Sequence, residues 1–221
     1  MKTYLSSQDN SIEYTSFDFN GFINDYFEEI KRCLDGLDKN KIQMAIDILI
    51  NAYTHNKKVY IIGNGASAST ASHMACDLGK GTIHNLQDYT EKRFKIISLT
   101  DNVPLLTAIA NDLSFEDIFI QQLKSLLEEN DVVIAMSGSG NSLNVVRAMQ
   151  YAQKHKAKTI GLLGFKNGGK VSQIVNCAVV VNSDQHGPIE DTNLILSHLL
   201  TVCIKDAKNG EHKLFFANFP Y

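Results

Sequence analysis

The sequence predicts an α/β fold built on one five-stranded parallel sheet, flanked by helices in three layers and preceded by two N-terminal helices. Three observations point there. Short apolar runs alternate with segments of helical periodicity, the pattern of a parallel sheet covered on both faces. The chain is 221 residues long and 44% hydrophobic, enough for the core of one domain of this class. Two strand-to-helix junctions are rich in glycine and serine, as where a ligand meets the carboxyl edge of such a sheet.

The first twenty residues are polar and lack periodicity, and are expected to form a peripheral tail. Phe22, Ile23, Tyr26, Phe27, Ile30 and Cys33 then recur at helical spacing until LDGLDKN interrupts them. A second helical pattern runs through Ile42, Ala45, Ile46, Leu49 and Ile50. The strands read as VYII before Gly63, KIISL (95–99), DVVIAM (131–136), KTIGLL (158–163) and CAVVV (177–181). A last helix is expected from about Ile189 to Ala207, so the domain covers 21–208, with 1–20 and 209–221 as tails.

Composition narrows the function. A net charge of -3, with no run of lysine or arginine longer than a pair, gives no footprint for nucleic acid or an anionic membrane. No apolar stretch is long enough for a membrane span, and the N-terminus lacks the apolar core of a signal peptide, so the expected location is cytoplasmic. Cys33, Cys76, Cys177 and Cys203 are widely spaced and read as buried thiols rather than a disulfide or zinc-ribbon framework. A small-molecule ligand is the remaining class.

The turns GNGASAS after the first strand and SGSGNS after the third each open a helix, whose first N–H groups suit an anion. Two such turns at one sheet edge point to a phosphorylated ligand. Gly63, Gly65 and Ala68 fit the dinucleotide pattern G-x-G-x-x-A, but the acidic residue expected about twenty positions on is missing, because the next strand ends only at Thr100 and Asp101. Nothing matches a Walker loop. Glycines that merely make tight turns are the plainer reading of either segment alone, and it weakens when both occur together.

His73 and Asp77 stand four apart on the helix after the first turn and so share a face that can reach one metal or one substrate. Glu190 and His198, eight apart on the last helix, fall on one side of it and complete a set of N and O donors suited to zinc. Taken singly, His73 or His198 would read as a hydrogen-bonded core histidine; their joint placement with two carboxylates favours function. His186, before Gly187 and Pro188, is either a substrate contact at the mouth of the last helix or a surface-loop residue. His55, His84, His155 and His212 have no partner pattern.

GNGASASTASHMACDL, TAIANDLSFEDIF, DVVIAMSGSGNSLNVVRAM and IEDTNLILSH together resemble the phosphoheptose isomerase branch of the SIS (sugar isomerase) fold, over residues 20–207. The resemblance implies a homotetramer with its site between subunits, converting sedoheptulose 7-phosphate to a manno-heptose 7-phosphate for surface polysaccharide. It implies a first substrate loop of Asn64, Gly65, Ala66 and Ser67, with Ala66 where glycine is common. It also implies substrate contacts at Asn111 and Asp112, and phosphate contacts at Ser137, Ser139 and Ser142, with Gly138 in place of the usual threonine. It puts zinc at His73, Asp77, Glu190 and His198, with Glu190 also near substrate. The chain departs from the family at Asp77 (usually glutamate), Glu190 (usually glutamine) and Asn193 (usually histidine). The implied chemistry is enediol formation by Asp77, or Glu190 if Asp77 is only a ligand, as base and His198 as acid. A non-catalytic SIS protein that binds a protein partner such as a replication initiator, and an isomerase for another sugar phosphate, are the alternatives.

Overall fold

The computed structural model describes residues 18–210. The expectations for the two tails therefore lie almost wholly outside the described residues. Within them the chain runs α1 (Phe19–Asp35), α2 (Lys39–Thr54), β1 (Lys58–Gly63), α3 (Ala66–Cys76), β2 (Lys95–Ser98), α4 (Val103–Asp112), α5 (Ile120–Leu126) and β3 (Val132–Ser137). It continues through α6 (Leu143–Lys154), β4 (Lys158–Leu163), α7 (Gly169–Ser172), β5 (Cys177–Val180) and α8 (His186–Asn209).

The helix boundaries follow from side chains that satisfy the free N–H groups of the first turn. Asp18 accepts from the Gly21 N–H at 2.9 Å to start α1, and Asp38 accepts from Asn40 and Lys41 to start α2. The LDGLDKN break thus contains both the Gly36 end of one helix and the Asp38 cap of the next. α8 begins three residues before the expected Ile189, with Pro188 inside its first turn. Proline costs little there, because N–H groups of the first turn have no partner within the helix.

All five strands are parallel in the order β2-β1-β3-β4-β5. The central β1 and β3 are buried on both faces, and period-two alternation divides their side chains between two cores. Val59, Ile61, Val132, Ile134 and Met136 face the layer of α1, α2, α3 and α8. Tyr60, Ile62, Val133 and Ala135 face α4 to α7. Asp131 is buried at the start of β3, where its carboxylate accepts the N–H groups of Lys58 and Glu128, both at 2.9 Å.

The chain leaves β1 toward β2 and then recrosses to β3, so the sheet's topological switch lies between β1 and β3. Both glycine turns open from that crevice at the carboxyl edge, the position at which open parallel sheets bind ligands. One cysteine departs from the buried-thiol reading. Cys33 and Cys177 are buried and Cys203 is half-buried, but Cys76 is exposed, because it lies at the end of α3 on the side that lines a surface cavity.

Candidate active site

The first turn is opened by Gly65, whose φ of +57° and ψ of −126° suit glycine alone. A Cβ there would meet nothing within 4 Å, so the start of α3 faces open space. The first intrahelical bonds are made by Ala68 and Ser69 to the Gly65 carbonyl, at 3.0 and 3.3 Å. The N–H groups of Ala66 and Ser67 precede them, and no side chain caps the helix. This is the arrangement that favours an anion at a helix N-terminus.

The second turn is held by its own serines. Ser137 Oγ accepts the Gly140 N–H at 3.1 Å and Ser139 Oγ accepts the Asn141 N–H at 3.2 Å, which leaves each hydroxyl proton to donate elsewhere. Ser142 precedes α6 without a capping bond from its side chain. Gly140 has φ +59°, and a Cβ there would lie 1.9 Å from the Gly168 carbonyl oxygen, so this turn and the loop after β4 are in direct backbone contact. Across the switch point the Asn64 and Asn144 amides exchange two hydrogen bonds of 2.9 Å, locking the two turns in register. Asn144 is a residue that the sequence reading missed. Its only signal is an asparagine two positions after Ser142.

Below the turns, His73, Asp77 and His198 each present a ligand atom within 4.8 Å of the others. His73 Nε2 lies 3.1 Å from Asp77 Oδ2, as i, i+4 spacing requires, and His198 Nε2 lies 3.6 Å from the same oxygen. The two Nε2 atoms are 2.9 Å apart. At that separation both cannot carry protons, so at least one presents a lone pair to the other, and both lone pairs can turn toward a cation. The side chains of His73 and His198 are 47% and 52% exposed, which sets aside the core-histidine reading; that of Asp77 is 30% exposed. Asp77 also begins a π-type turn, Asp77–Gly81, a helix defect that often accompanies functional residues.

The other candidates occupy different places. Glu190 lies two turns before His198 on α8 and is not among the three converging ligands. Beside it Tyr26 of α1 donates to Asp191 at 2.5 Å. That bond, partial burial, and the charges of Asp191 and Glu190 push the phenol up to about 12. Asn111 and Asp112 are exposed at the end of α4, where Asn111 Nδ2 donates to Asp112 Oδ1 at 2.9 Å. Asn193 Oδ1 and Ser197 Oγ, one turn apart on α8, are buried without a partner. Lys80, Lys205 and His84, to which the sequence reading gave no role, line a cavity of about 420 Å³ together with Asp77. A larger cavity, about 730 Å³, lies among β2, α4 and α5, and contains neither histidine of the cluster.

The model of the SIS domain matches residues 25–164. The chain is 35% identical to phosphoheptose isomerase of Helicobacter pylori, over 80% of this chain and 89% of that protein. It is 38% identical to phosphoheptose isomerase of Nitratiruptor sp., over 75% and 86%. Among solved structures, phosphoheptose isomerase GmhA from Neisseria gonorrhoeae superposes with a TM-score of 0.74 at 25% identity, covering 85% of this chain and 96% of that one. A phosphoheptose isomerase from Francisella tularensis gives 0.75 with the same identity and coverage. These matches cover most of this chain and of the relatives, and the chain belongs to the SIS domain family, in its phosphoheptose isomerase branch.

Proposed function

We propose that this protein interconverts sedoheptulose 7-phosphate and D-glycero-D-manno-heptose 7-phosphate, supplying heptose for a surface polysaccharide. The observation that carries the reading is the convergence of His73, Asp77 and His198 on helices that pack beside the two anion-suited turns. His73 is seven residues into α3, about 10 Å along its axis from the first turn, a separation an extended sugar phosphate can span. In this reading the hydroxyls of Ser137, Ser139 and Ser142 and the amides of Ala66 and Ser67 hold the phosphate. Asn64, Gly65, Asn111 and Asp112 line the sugar, and the bare backbone at Gly138 admits it closely.

The Asp77 carboxylate removes the proton from the carbon next to the carbonyl, while His198 gives one to the carbonyl oxygen. The enediol formed collapses when the proton returns to the neighbouring carbon and the other hydroxyl loses its own. Two nitrogens and a carboxylate oxygen form a donor set that fits zinc; Glu190, the fourth ligand that the resemblance implies, lies on the same helix as His198 but outside this group. When bound, zinc would polarise the carbonyl. Should Asp77 serve only as ligand, Glu190 is the base.

Assembly as a homotetramer is supported by apolar surface that the described residues leave uncovered. Phe27 on α1 is 66% exposed, and α4, with Val103 and Leu105 exposed and Leu113 exposed just after it, buries none of its residues. A cytoplasmic location is supported by four free cysteines. No helix among the described residues is long and apolar enough to cross a membrane. The non-catalytic, partner-binding reading is not favoured, because the relatives that match most of the chain are named as isomerases. The test is turnover of ketose 7-, 6- and 5-phosphates by purified protein, with and without zinc. Conversion of sedoheptulose 7-phosphate is expected, and no turnover of any of them refutes the proposal.

A further inference from the structure

The second turn has a wall that no role so far explains. After β4 the chain turns through Phe165 and Lys166, with φ of +49° and +58°, two adjacent non-glycine residues in the left-handed region. Such conformations are unfavourable for these side chains and persist only where the surroundings over-determine them. Here the Gly164 N–H donates to the Gly138 carbonyl at 2.9 Å, and Lys166 pairs with Asp184 at 2.8 Å. Gly164 must lack a side chain, because a Cβ would lie 2.6 Å from Ile189 Cγ2. The result is that the Phe165 ring stands edge-to-face against His186, with centroids 4.8 Å apart at 77°.

Both rings border Gly138. A Cβ built on Gly138 would lie 3.6 Å from Phe165 Cε2, 3.7 Å from Ile189 Cγ2 and 3.8 Å from His186 Nδ1. These are ordinary contact distances, so a methyl group would just fit there, touching two apolar groups and one polar atom. That atom belongs to the first residue of α8, a 24-residue helix whose start carries no side-chain cap. The charged neighbours are Lys166, which Asp184 already engages, and Glu190 one turn further along α8.

We propose that His186 is a ligand-binding residue of this site: its imidazole donates from Nδ1 to the phosphate of the bound sugar above Gly138, with the ring held in orientation by Phe165. The inference rests on the reading that the serine turn holds the phosphate. It adds a nitrogen donor to a cradle otherwise made of hydroxyls and amides, and it assigns a purpose to the strained backbone at Phe165 and Lys166.

His186 is exposed, so substitution leaves the fold intact, which thermal melting checks. Inorganic phosphate binding is measured by calorimetry on the full chain, and KM and kcat on sedoheptulose 7-phosphate. His186→Ala should weaken phosphate and raise KM by about 10-fold, the size of one charge-assisted hydrogen bond, with kcat within about 2-fold. His186→Asn, which places an amide N–H near the position of Nδ1, should recover most of the binding, and His186→Gln should not. A wild-type protein that binds no phosphate, or a His186→Ala variant that binds it as tightly as wild type, overturns the proposal. If wild type turns over no sugar phosphate yet loses phosphate binding on His186→Ala, the isomerase reading fails and this contact stands.

Discussion

Replacing Asp77 is the most informative perturbation of the cluster. Its Oδ2 lies 3.1 Å from His73 Nε2 and 3.6 Å from His198 Nε2, so one oxygen serves both rings. Asp77→Asn keeps the volume but substitutes an amide that cannot take up a proton at neutral pH. If Asp77 is the base, kcat should fall by about 10² to 10⁴, or roughly 3 to 5 kcal/mol of barrier, with little change in KM. The carboxylate is partly exposed, so the melting temperature should barely move, which separates lost chemistry from lost folding. Asp77→Glu tests geometry. His73 Nε2 is already at hydrogen-bonding distance from the carboxylate, and the extra methylene pushes that group about 1 Å past its present place, which should slow turnover on the order of 10²-fold. Steady-state kinetics on sedoheptulose 7-phosphate with parallel melts decide the matter. Full activity of Asp77→Asn would refute the assignment and move the role to Glu190 or His198.

Metal content provides a second check: wild-type protein reconstituted with zinc should hold about one ion per chain, and the His73→Ala, His198→Ala double variant far less. Equal metal in both would remove the cluster as its site. Ser197→Ala deletes a buried hydroxyl that has no partner, so urea unfolding should show equal or greater stability, by up to about 1 kcal/mol. A loss of more than that would mean that the hydroxyl is satisfied in the folded protein. Glu29 is lowered from 4.5 to about 2, first by the Arg32 hydrogen bond and then by that from Ser183, which ties α1 to the loop after β5. A folded-state value below the unfolded one means stability present above pH 4.5 and lost as pH falls toward 2. Glu29→Gln should therefore flatten that acid limb in a pH series of melts, and parallel curves would contradict the argument. Phe27→Asp should shift light-scattering mass toward smaller species, and an unchanged mass would take α1 out of the subunit contact.

The fold was legible because its signals are local. The strands stand out as apolar runs such as DVVIAM, since a strand buried on both faces needs no alternation with polar residues. LDGLDKN announced a helix end and start because Gly36 and Asp38 act within three residues of themselves. The helix α8 starts three residues before the expected Ile189, with Pro188 in its first turn, where a proline has no intrahelical N–H bond to lose. His73 and Asp77 could be put on one face by helical period alone.

What sequence by itself determined was therefore the order of strands and helices, the two glycine turns, and the i, i+4 pair, all consequences of chemistry within a few residues along the chain. Tertiary structure alone decided that His198 comes within 2.9 Å of His73 while Glu190, two turns away on the same helix, stays outside the converging group. It alone joined Asn64 to Asn144 across 80 residues and exposed Cys76. It alone set His186 against Phe165 above Gly138. The physical reason is that helical period places a side chain on its own helix, whereas the distance between two helices depends on how their apolar faces pack against a shared sheet, a sum over many residues that no motif spells out.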